Sequence, residues 1–62
     1  MTRSTLDRWI RKGENHELPE VVTLAKLALA CWSMGEDERA EKYLDQARSK
    51  FVEEIYNHLT TE

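Results

Sequence analysis

One cysteine, one proline and two glycines are the only residues of their kinds in a chain of 62 residues. Cys31 has no second cysteine to meet, which excludes an internal disulfide. His16 and His58 stand far apart in sequence, whereas a zinc site wants four closely grouped ligands. A lone cysteine with no signal-type leader suits a reducing compartment, so the expected location is the cytoplasm. Long apolar runs are missing too. The longest, Val21 to Met34, is broken by Thr23, Lys26 and Ser33, and a bilayer asks for about 20 apolar residues. No membrane span is expected.

Reactive constellations are equally scarce. Cys31 sits in an apolar stretch with no histidine at near spacing, so it reads as an inert core thiol. Asp37, Glu41 and Asp45 recur every four residues, but Arg39 and Lys42 interleave them, and a solvated charged face is the better reading. His16 falls in a polar connection. His58 falls near the end of the last helix, where a protonated ring suits the dipole. The expectation is no catalytic, cofactor-binding or metal-ligating residue, and no enzyme.

What is present is charge, arranged as a gradient. The net charge of −3 conceals a basic head, in which Arg3, Arg8, Arg11 and Lys12 face only Asp7. Residues 36–62 carry eight acids against four bases. Binding to nucleic acid draws on basic charge, so this balance speaks against general nucleic-acid affinity.

Periodicity places three helices, at about 4–12, 19–34 and 36–59. Ser4 with Asp7 suits a capping box, and Gly13 is placed to end the first helix. Leu6, Trp9 and Ile10 share one face of it. Pro19 fits the first position of the second helix, where its missing N–H matters little. That helix is apolar nearly all round, the mark of a buried one, and Gly35 closes it. No glycine or proline follows, so the third helix runs on, with Ala40, Leu44, Ala47, Phe51, Ile55 and Leu59 in one stripe. Tyr43, Val52 and Tyr56 widen the stripe, and Glu38–Lys42 and Lys50–Glu54 are spaced for outer ion pairs.

The succession Leu24, Leu27, Ala28, Cys31, Gly35, Ala40, Leu44 and Ala47 resembles a single tetratricopeptide repeat. That pattern alternates large and small residues along two antiparallel helices around a turn glycine. The resemblance implies a tight helical hairpin used for protein–protein contact. The chain departs from the pattern in having one repeat where about three are needed to bury the apolar face. Its second hairpin helix also overruns the usual length by more than two turns.

The overrun leaves apolar side chains without cover. A sizeable apolar patch marks an interaction surface, so Phe51, Val52, Ile55, Tyr56, Leu59 and Trp32 are the expected dimer or partner interface. A two-fold homodimer, the commonest symmetric assembly, is the expected solution. An unidentified protein partner is the other. A compact monomer with helix 1 folded along helix 3 is the alternative.

Residues 4–13, STLDRWIRKG, are similar to the recognition helix of helix-turn-helix regulators such as phage excisionases and mercury-resistance-type regulators. The similarity implies DNA contacts from Arg3, Ser4, Thr5 and Arg8, with Arg11 and Lys12 as further nucleic-acid contacts. Arginine can grip a guanine edge through two bonds. A recognition helix is held by a preceding scaffold helix, yet only three residues precede Ser4 here, and Asp7 would face phosphate. A strut for the helical core is the preferred reading. The expectation is a small interaction protein or regulatory adaptor, similar in size to accessory proteins of bacteria and bacteriophages, with a DNA-binding regulator as the alternative.

Overall fold

The computed structural model describes residues 1–60, apart from the side chains of His58 and Thr60, so the expectation for His58 lies outside the described residues. Three helices follow one another: α1 (Arg3–Asn15), α2 (Pro19–Ser33) and α3 (Asp37–Thr60). None is long and apolar enough to cross a membrane among the described residues.

Each helix end has a local cause. The N-cap of α1 is Thr2, two residues before the expected Ser4, and its Oγ1 accepts from the Thr5 backbone N–H at 3.3 Å. Asp7 pairs instead with Arg3 one turn back, at 3.8 Å. α1 also outruns its expected end at residue 12. Gly13 lies inside the helix, and the chain leaves α1 through Glu17, which takes the left-handed region with φ 56°. Two bonds close that exit: Leu18 N–H to the Gly13 carbonyl at 2.8 Å and Glu17 N–H to the Glu14 carbonyl at 3.1 Å. This is a Schellman closure, usually built on glycine.

α2 starts on Pro19 as its sequence predicts. Its exit is the same closure with the usual residue. Gly35 has φ 80°, its N–H reaches the Trp32 carbonyl at 3.0 Å, and Glu36 N–H reaches the Cys31 carbonyl at 2.9 Å. Asp37 and Glu38 then put acid in the first turn of α3, where the dipole favours it.

Gly13 has a packing role. A Cβ there would lie 2.8 Å from Val22 Cγ2 and 3.0 Å from the Val22 backbone nitrogen, so α1 and α2 meet closely at this point. Gly13 meets Val22 near one end of the pair, and Leu6 packs with Ala28 nearer the other, so the two helices run antiparallel. Ala28 packs with Leu44 while Glu20 reaches Lys50, which makes α2 and α3 antiparallel as well. α1 packs chiefly on α2 and touches α3 more sparingly.

The core is thin. Leu6, Val21, Ala25, Ala28, Cys31, Ala40, Leu44 and Ala47 are buried, and only Leu6 and Val21 among them are large and fully enclosed. Burying such a side chain contributes about 1.5–3 kcal/mol. The alanines contribute close approach rather than area. α2 is less enclosed than its composition suggests, for Leu27 is 41% exposed, and Met34, which caps its end, is 67% exposed. Only two neighbouring helices are available, and they cover one side of it.

Candidate interaction surface

The surface begins where the helical layer stops. Lys50 of α3 joins Glu20, in the first turn of α2, at 3.4 Å. One residue further, the Phe51 ring meets the rings of Trp9 at 5.6 Å and His16 at 5.1 Å, both edge to face. Lys12 lays its ammonium over both Trp9 and Phe51, at 5.0 and 5.2 Å from the ring centres. The ends of α1 and α2 therefore lie level with Lys50 and Phe51. The nine residues of α3 from 52 to 60 continue past that level, about 13 Å at 1.5 Å per residue.

This geometry divides the expected interface. Phe51 is half-buried beneath α1, because Trp9, Lys12 and His16 cover it. It belongs to the fold rather than to an open surface. Trp32 is half-buried on the rim of the Leu6–Ala28–Leu44 cluster, close to the Gly35 turn and far from the α3 end. Ile55 is half-buried. Val52, Tyr56 and Leu59 remain together, 63%, 58% and 72% exposed, one helical turn apart along α3. Val52 and Tyr56, with Arg48, Ser49, Glu53 and Asn57, line a shallow, largely apolar depression along the helix.

The charges beside these residues are engaged within the chain, with an excess of acid. Arg48 pairs with Asp45. Lys50, with 28% of its side chain exposed, reaches Glu53 at 3.3 Å and Glu54 at 3.5 Å as well as Glu20. Its hydrogen bond to Glu53, followed by that to Glu20, holds its pKa above the ordinary 10.5. The expected Lys50–Glu54 pair thus forms within a larger cluster, and its link to α2 could not be read from helix spacing. Arg39 is likewise raised, by its hydrogen bond to Glu36. Glu38 and Lys42 form no ion pair among the described residues.

The basic residues of α1 are spread differently. Arg3 is engaged with Asp7, and Lys12 rests on the aromatic rings. Arg8 and Arg11 are exposed and form no ion pair among the described residues. With Ser4, Asp7, Lys12, Asn15 and His16 they line a broad, open depression. No group of three or more possible metal-binding side chains occurs among the described residues.

These contacts define an all-α protein of three helices whose third helix extends past the other two. Set beside known protein families, curated proteins and solved structures, the chain matches none of them.

Proposed function

We propose that this chain is a non-enzymatic protein–protein interaction module that docks through the exposed apolar face at the end of α3. One observation carries the reading: Val52, Tyr56 and Leu59 are all more than half exposed on one face of a helix segment beyond the α1–α2 layer. A contiguous apolar surface of this kind suits association with another protein. The tetratricopeptide-like order of large and small residues fits a scaffold of the same use. The test is a photo-crosslinking side chain at Tyr56, with Lys26 on α2 as the control position. Adducts of one protein mass from position 56 and none from position 26 support the reading. No adduct, or the same adducts from both positions, contradicts it.

A second reading, contact with DNA through α1, draws on the exposure of Arg8 and Arg11 within the open α1 depression. Arg8→Glu separates the two. Retention on DNA at moderate salt that disappears in this variant supports the regulator, and negligible retention of both proteins rules against it.

A further inference from the structure

We draw no further inference here: the strongest candidate, the exposed apolar patch of Val52, Tyr56 and Leu59 at the end of α3, belongs to the surface already described, and nothing in the structure shows what covers it.

Discussion

Gly13 of α1 lies so close to Val22 of α2 that a side chain at position 13 would start 2.8 Å from Val22 Cγ2. The Val22 backbone nitrogen, at 3.0 Å, and Val21 Cγ1, at 3.1 Å, close the other directions. Val22 is β-branched and stiff at χ1, so it cannot easily turn away. Gly13→Ala gains about 1 kcal/mol of helix propensity. Overpacking costs about 1–3 kcal/mol and wins, because backbone as well as side chain must move. The expected outcome is a lower thermal midpoint, read by circular dichroism, in a substitution that helix propensity alone would score as stabilising.

The two helix exits give a paired prediction. Glu17 at φ 56° and Gly35 at φ 80° occupy the same place in the same closure. A left-handed residue with a Cβ is strained by about 1–2 kcal/mol. Glu17→Gly should therefore raise the thermal midpoint, and Gly35→Ala should lower it, each by several degrees at about 4–8 °C per kcal/mol for a domain of this size. Nothing within 4 Å crowds position 35, so that loss would come from backbone conformation alone.

Local chemistry made some of this legible and misled elsewhere. Pro19 and Gly35 carry conformational limits of their own, and both stand where those limits point. Gly13 has no such unique meaning. A glycine serves either a left-handed exit or a close approach, and only the position of Val22 decides between them. Ser4 and Thr2 are both competent caps, and the backbone chose the earlier one. The apolar stripe of α3 was readable from spacing, but its division was not. Phe51 is withdrawn from it by Trp9, Lys12 and His16, which lie 42, 39 and 35 positions away in sequence.

That division predicts opposite behaviour for neighbouring residues. Phe51→Ala removes a half-buried ring and its edge-to-face contacts with Trp9 and His16. Aromatic contacts of this kind contribute about 0.5–1.5 kcal/mol beyond area burial. A loss of about 2 kcal/mol in all is expected, along with a change in Trp9 emission. Val52→Ser, one residue on but 63% exposed, should leave the stability of the dilute protein nearly unchanged. Urea titration of both variants at low concentration checks the contrast.

Lys50 makes the α2–α3 contact sensitive to alkaline pH. Its pKa in the folded chain is raised, by Glu53 and then Glu20, so its contribution is fully present below the ordinary value of 10.5. The contribution is lost as pH rises through the folded value. Lys50→Met should therefore melt below the unsubstituted chain at pH 8, and the gap should narrow as pH rises past the ordinary lysine value of 10.5. A gap that stayed constant across this range would detach Lys50 from the α2–α3 contact.

Sedimentation equilibrium from low to high micromolar concentration, on the unsubstituted chain and on the Val52→Ser, Leu59→Ser double variant, tests self-association most directly. The prediction is that the 7.3 kDa chain rises toward twice its mass with concentration. The double variant should keep its helicity and remain at the single-chain mass. An unsubstituted chain that stays monomeric throughout, or a variant that associates equally well, would contradict a homodimer built on the exposed α3 face.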